Sequence, residues 1–72
     1  MLDYSFITVE FNYDNKRLTA TGYVFYNKLD KEIKEITNLE VRNVKGHIVY
    51  DEKICQCAAE KIINKFKEVV ND

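Results

Sequence analysis

The chain contains no proline, no tryptophan and only two glycines, Gly22 and Gly46, in 72 residues. Proline-rich spacers and glycine-serine linkers are thereby excluded. The sequence reads as one domain spanning 1–72. Cysteine is equally scarce. Cys55 and Cys57 stand two apart, so no disulfide can tie distant parts of the chain together, and a reduced, cytoplasmic protein is the expectation. No charge excess exists either: 11 basic residues face 12 acidic ones, for a net charge of −1. Nucleic-acid binders draw most of their affinity from cationic contacts to phosphate, so a nucleic-acid partner is not expected. No apolar run approaches the roughly 18 residues of a membrane span. The N-terminus lacks a basic stretch followed by an apolar one, and a secretory leader is not expected. Motifs of the form G-x-x-x-x-G-K-[ST], G-x-G-x-x-G and H-E-x-x-H are all missing.

What remains is globular in composition: 46% hydrophobic, 12% aromatic and 32% charged. A chain of this length buries only about 60% of the surface its unfolded form exposes. Association with a second chain is one way for such a domain to gain stability. The abundance of Asn, Lys, Ile and Tyr fits an AT-rich genome and is compatible with a phage or mobile-element protein.

The first 27 residues alternate. Ile7, Val9, Phe11 and Tyr13 occupy odd positions, with Thr8, Glu10 and Asn12 between them, which predicts a strand. Asp14-Asn15-Lys16-Arg17 is a turn, and Leu18 to Asn27 is a second strand. A two-residue loop at Asn15-Lys16 pairs positions summing to 31: Tyr13 with Leu18, Phe11 with Ala20, Val9 with Gly22 and Ile7 with Val24. Large residues meet small ones on that face, which leaves room for a helix. A third strand begins near Ile33. Ile36, Leu39 and Val41 do not share one parity, so a bulge is expected near Thr37-Asn38. Val44 to His47 forms a turn, and His47 to Tyr50 forms a short fourth strand in the fuller version of this reading.

The final third is helical. Asp51 is an N-cap, and Glu52 places negative charge in the first turn. At about 100° per residue, Ile54, Cys55, Ala58, Ala59, Ile62, Ile63, Phe66, Val69 and Val70 gather on one side. The predicted architecture is α+β: a three- or four-stranded antiparallel meander with one C-terminal helix across one face.

That packing turns the even positions of the first strand away from the helix. The same register sets Phe6 opposite Phe25, Thr8 opposite Tyr23 and Tyr4 beside Asn27. Tyr4, Phe6, Tyr23 and Phe25 then form one patch, which a single helix cannot cover. Such a patch is either a partly solvated sheet face held by cross-strand pairs or an interaction surface. Arg42 belongs to the same face, with Glu10 and Glu40 nearby. Aromatics on a sheet also stack single-stranded nucleic acid in some proteins. Here Lys28, Lys31 and Lys34 are offset by Asp30, Glu32 and Glu35.

Cys55 and Cys57 differ by about 200° of helical rotation, so they cannot share a metal ion. Cys55 falls in the apolar stripe. Cys57 falls on the polar side, as a tolerated exposed thiol or as a residue that a partner covers. His47, Asp51 and a cysteine could be drawn as a nucleophilic set, but a turn histidine and an N-cap account for the first two. The reading is a non-enzymatic protein-interaction module, an accessory subunit or an inhibitor of another protein, with a protein partner or a second copy of itself. The contact residues are Tyr4, Phe6, Thr8, Tyr23, Phe25, Arg42 and Cys57. No catalytic residue, metal, cofactor or small-molecule substrate is implied. Single-stranded nucleic-acid binding on the Tyr/Phe face is the alternative, and a thiol enzyme using Cys57 and His47 is a further one.

Overall fold

Asp14 and Asn15 both adopt left-handed backbone, with φ of 52° and 63°. Two such residues in succession make the turn whose twist matches a right-handed hairpin, and Asp and Asn tolerate that conformation better than most side chains. The turn joins β1 (Leu2–Tyr13) to β2 (Lys16–Asn27). It is centred one residue earlier than the sequence reading placed it. Paired positions therefore sum to 29: Phe11 faces Leu18, Val9 faces Ala20 and Ile7 faces Gly22. The physical reason is Lys16, which the other turn would force into left-handed backbone. Because the correction is two residues in register, no side chain changes face.

β2 pairs in turn with β3 (Ile33–Asn43), giving a three-stranded antiparallel sheet in the order β1-β2-β3. The structure, a computed structural model, describes residues 1–70. Between the pairs Thr21–Glu40 and Tyr23–Thr37, Gly22 stands against two residues, Asn38 and Leu39. This is the expected bulge, and Asn38 takes the left-handed conformation there, with φ 54°. It lets Ile36 and Val41, which have opposite parity, share the core face. A second irregularity, not foreseen, lies between Phe25–Glu35 and Tyr26–Ile33. It does the same for Ile33 and Ile36.

The fourth strand does not form. Residues 47–49 make a single bridge, Arg42 with Ile48, fastened by Asn43 N–H to His47 O at 3.0 Å and Val49 N–H to Val41 O at 2.8 Å. The Asn43 side chain explains why the chain turns so tightly. Its Oδ1 accepts from the amides of Lys45 and His47, both at 3.0 Å, and Gly46 supplies the left-handed residue.

α1 (Glu52–Val70) starts at Asp51, whose carboxylate accepts from the amides of Lys53 at 2.9 Å and Ile54 at 3.1 Å. Ala58, Ile62 and Phe66 are its buried residues, one turn apart, and they press on Ile7, Phe11, Leu18, Ala20, Val24 and Val41 of the sheet. Each such side chain contributes about 1.5–3 kcal/mol of transfer free energy when fully buried. Val69, counted in the apolar stripe, is half exposed. Cys57 corrects the reading in the opposite direction: it is half-buried and packs against the core, as Cys55 does. A helical wheel drawn over a flat sheet misses this. Val49 of the strap at 47–49 packs against the same core as well, so the apolar surroundings extend beyond the sheet strands and one helical stripe. No helix among the described residues is long and apolar enough to cross a membrane.

Tyr26 closes the far end of the core. Its ring lies 4.8 Å from that of Phe66, Lys31 Nζ stands 5.7 Å from it, and its hydroxyl reaches Asp3 Oδ2 at 3.5 Å. Loss of hydration, and then the Asp3 carboxylate, push its ionisation above the ordinary value of 10.0. The folded state therefore holds this proton more tightly than the unfolded chain. The resulting stability is fully present below pH 10.0 and is lost as pH rises through the folded-state value. Urea midpoints of the wild type and Tyr26→Phe, followed upward from about pH 9, should converge as the wild type loses this contribution. Parallel curves would refute it.

Candidate protein-interaction face

Everything on the far side of the sheet from α1 follows from strand parity. The even residues of β1 pair with the odd residues of β2, and these meet Arg42, Glu40, Thr37 and Glu35 of β3. The rows run, from the hairpin turn downward, Asn12–Arg17, Glu10–Thr19–Arg42, Thr8–Thr21–Glu40, Phe6–Tyr23–Thr37, Tyr4–Phe25–Glu35 and Leu2–Asn27.

The face divides in two. Its upper half is charged and satisfies itself. Arg17 holds Glu10 at 2.7 Å, and Arg42 holds Glu40 at 3.2 Å while also donating to the Gly46 carbonyl at 2.8 Å. These pairs are exposed and contribute little to stability. Their consequence is electrostatic: the two arginines of this face are already committed.

The lower half is aromatic. Phe6 and Tyr23 have ring centroids 5.0 Å apart, Tyr4 and Phe25 5.7 Å, and Tyr4 and Tyr23 5.9 Å, all tilted. Such pairs contribute roughly 0.5–1.5 kcal/mol each beyond their area. Tyr4 is 59% exposed and Phe6 55%, while Tyr23 and Phe25, on the central strand, are half-buried. Tyr4, Tyr23 and Phe25, together with Thr37 and Asn38, line a shallow depression of about 320 Å³. Asn38, one of these lining residues, is the left-handed residue of the bulge.

Of the residues singled out from the sequence, Tyr4, Phe6, Tyr23 and Phe25 come together. The partners differ from those expected: Phe6 lies opposite Tyr23, Tyr4 opposite Phe25 and Thr8 opposite Thr21. Thr8 marks the border between the two halves. Arg42 shares the face but sits two rows above Tyr23 and is held by Glu40 and Gly46. Cys57 belongs to the helix layer, on the other side of the sheet. Thr37 and Asn38 were not singled out, although the expected bulge was the signal that could have found them. The Asp51 carboxylate is spent on the helix cap, and among the described residues no group of three His, Cys, Asp or Glu could hold a metal ion. Comparison with protein-family models, with curated proteins and with solved structures finds no match.

Proposed function

We propose that this chain is a small non-enzymatic interaction module of the cytoplasm, an accessory subunit or inhibitor, that docks another protein chain on the aromatic half of its sheet. One observation carries the reading. Four aromatic rings linked in a chain of contacts, Phe6–Tyr23–Tyr4–Phe25, lie on the face opposite α1, and two of them are more than half exposed. Clustered exposed aromatics are the residues from which protein interfaces draw most of their binding energy. Keeping such rings in water gives a monomer no stability beyond their cross-strand pairing.

Single-stranded nucleic acid is the weaker reading. Stacking platforms work beside cations that track the phosphates. Here Arg17 and Arg42 are paired with carboxylates, Lys34 pairs with Glu32 at 3.2 Å, and the row nearest the depression carries Glu35.

The test is a double substitution, Phe6→Ser with Phe25→Ser. In an extract of its source cells at native abundance, the wild type should migrate as an assembly well above 8.5 kDa. The double variant should migrate as a monomer and melt within a few degrees of the wild type by circular dichroism. A wild type that is monomeric both in extract and when purified at high concentration would sink the reading. So would a double variant that is unfolded, since the patch would then be core.

A further inference from the structure

The two edges of the sheet are not alike. β3 carries two bulges, at Asn38-Leu39 and at Lys34, it bears the cations Lys34 and Arg42, and its end at Val41 and Asn43 is already paired with the strap at 47–49. These are the devices by which proteins blunt a strand edge. β1 has no bulge, no covering strap and no cation, and its charges are the carboxylates Asp3 and Glu10. Its register with β2 is unbroken over 12 residues, from Leu2 to Tyr13, and it contains no lysine, arginine or proline.

Which backbone groups β1 leaves open follows from the turn. The two-residue loop at Asp14-Asn15 makes Tyr13–Lys16 a hydrogen-bonded pair, and antiparallel pairs alternate from there. Odd residues of β1 are therefore bonded to β2, and the N–H and C=O groups of the even residues point outward. The Tyr4 amide agrees: it donates sideways to Asp3 Oδ1 at 2.8 Å. Leu2, Phe6, Thr8, Glu10 and Asn12 remain, and among the described residues no backbone hydrogen bond reaches them from outside the sheet.

Resting on the interaction reading above, we infer that the occupant of this edge is a second copy of the chain, joined β1 to β1 in antiparallel fashion into a continuous six-stranded sheet. Self-pairing obeys a parity rule. Only even residues have outward groups, so even must meet even, and the two-fold axis lies between the strands at a level where one residue faces its own copy. Both helices then lie on one side of the joined sheet and both aromatic clusters on the other. The exposure of the rings fits this arrangement. Tyr4 and Phe6 are the more exposed pair because they stand on the edge strand, and a second β1 would cover that open flank with its own Tyr4, Phe6 and Thr8. Charge does not oppose the approach. The two carboxylates of β1 are engaged within the chain, Glu10 by Arg17 and Asp3 by the Tyr4 amide.

The purified full-length chain tests this. Light scattering after size exclusion should show the mass rising toward twice 8.5 kDa as concentration increases. An association of this modest area is expected to dissociate in the micromolar range or above. Amide exchange by NMR should slow at high concentration for Phe6, Thr8 and Glu10, and stay unchanged for Ile7, Val9 and Phe11. Thr8→Pro removes one outward donor per copy at a position where a monomer tolerates proline. It should weaken the dimer about tenfold or more, two hydrogen bonds being lost. Thr8→Lys, which keeps the backbone donor, should weaken it as well. A chain still monomeric at about 1 mM, the scale of the weakest specific complexes, would overturn the inference. A dimer whose even amides stay unprotected would overturn it too. Either result leaves the interaction reading standing if the Phe6→Ser, Phe25→Ser variant still loses an assembly in extract.

Discussion

Phe66→Ala should leave the chain barely folded at room temperature. Phe66 is 1% exposed, occupies the last third of α1 and packs its ring, tilted by 54°, 4.8 Å from that of Tyr26. Truncating a buried phenylalanine costs about 3–5 kcal/mol. At roughly 0.05–0.15 kcal/mol per residue, a 72-residue chain holds about 4–11 kcal/mol in total. One substitution would thus remove a large share of the stability. The position of Phe66 narrows the cost. Beside it lies an open depression between the β2–β3 turn and the helix, lined by Ile33, Ile63, Lys67 and Val70 among others. The space left by the ring joins that depression instead of sealing into a void, so the cavity contribution is small and about 3–4 kcal/mol is expected. The melting midpoint by circular dichroism should fall by about 15–30 °C. Phe66→Leu, which keeps most of the volume, should cost no more than about 1.5 kcal/mol. A drop of only a few degrees for the alanine variant would mean that α1 does not close this core.

Why the sequence reveals the faces but not the pairings is visible at the first hairpin. Alternation has a period of two, so it assigns each side chain to a face and says nothing about register in steps of two. Sums of 31 and 29 bury the same residues. Only turn chemistry separates them, and Asp14-Asn15 and Asn15-Lys16 both contain Asn15. The deciding fact is that aspartate tolerates left-handed backbone better than lysine does. The bulge at Asn38 was legible because Ile36 and Val41 conflict in parity. The one at Lys34 has the same cause, in Ile33 and Ile36, but hides beside a charged turn. Residues 47–50 looked like a strand, yet Asn43 ties the chain into a hook that leaves only Ile48 in bridging position.

The aromatic patch was legible for a robust reason: it depends on faces alone. Tyr4, Phe6, Tyr23 and Phe25 gather in either register, and only their partners change. Arg42 and Cys57 were grouped with them on weaker grounds. Arg42 shares the face but not the neighbourhood, since a row number requires the register. Cys57 was placed by a helical wheel, which treats the helix as resting on one flat layer. The contrast between a guarded β3 edge and an open β1 edge is only half legible: the meander order and the bulge at Asn38 follow from the sequence, whereas the second bulge at Lys34 and the strap that pairs with Val41 and Asn43 do not.

Gly22 offers the sharpest probe of how closely helix and sheet approach. It pairs with Ile7 of β1 but stands opposite the bulge on the β3 side, and Ile62 of α1 sits over it. A Cβ added there would lie 3.4 Å from Ile36 Cγ2, 3.4 Å from Ile62 Cδ1 and 3.6 Å from the Thr37 carbonyl oxygen. Those are ordinary contact distances, and Gly22 is not among the residues with left-handed backbone. Gly22→Ala should therefore fold normally and gain about 0.4–1 kcal/mol, mostly by reducing the freedom of the unfolded chain. Larger side chains have no such room. Gly22→Leu drives carbons into Ile62 and Ile36 and should cost about 2–3 kcal/mol by overpacking. Ile62→Ala alone should cost about 2–5 kcal/mol, leaving a void where Ile62 met the sheet. Combined, the two defects should cancel in part, with leucine filling the space that isoleucine vacates. The double variant should then be more stable than the sum of the singles predicts by about 1–3 kcal/mol, read from urea midpoints in a double-mutant cycle. Strict additivity would show that Ile62 does not press on this position. The close approach that lets a single helix cover three strands would then need another origin.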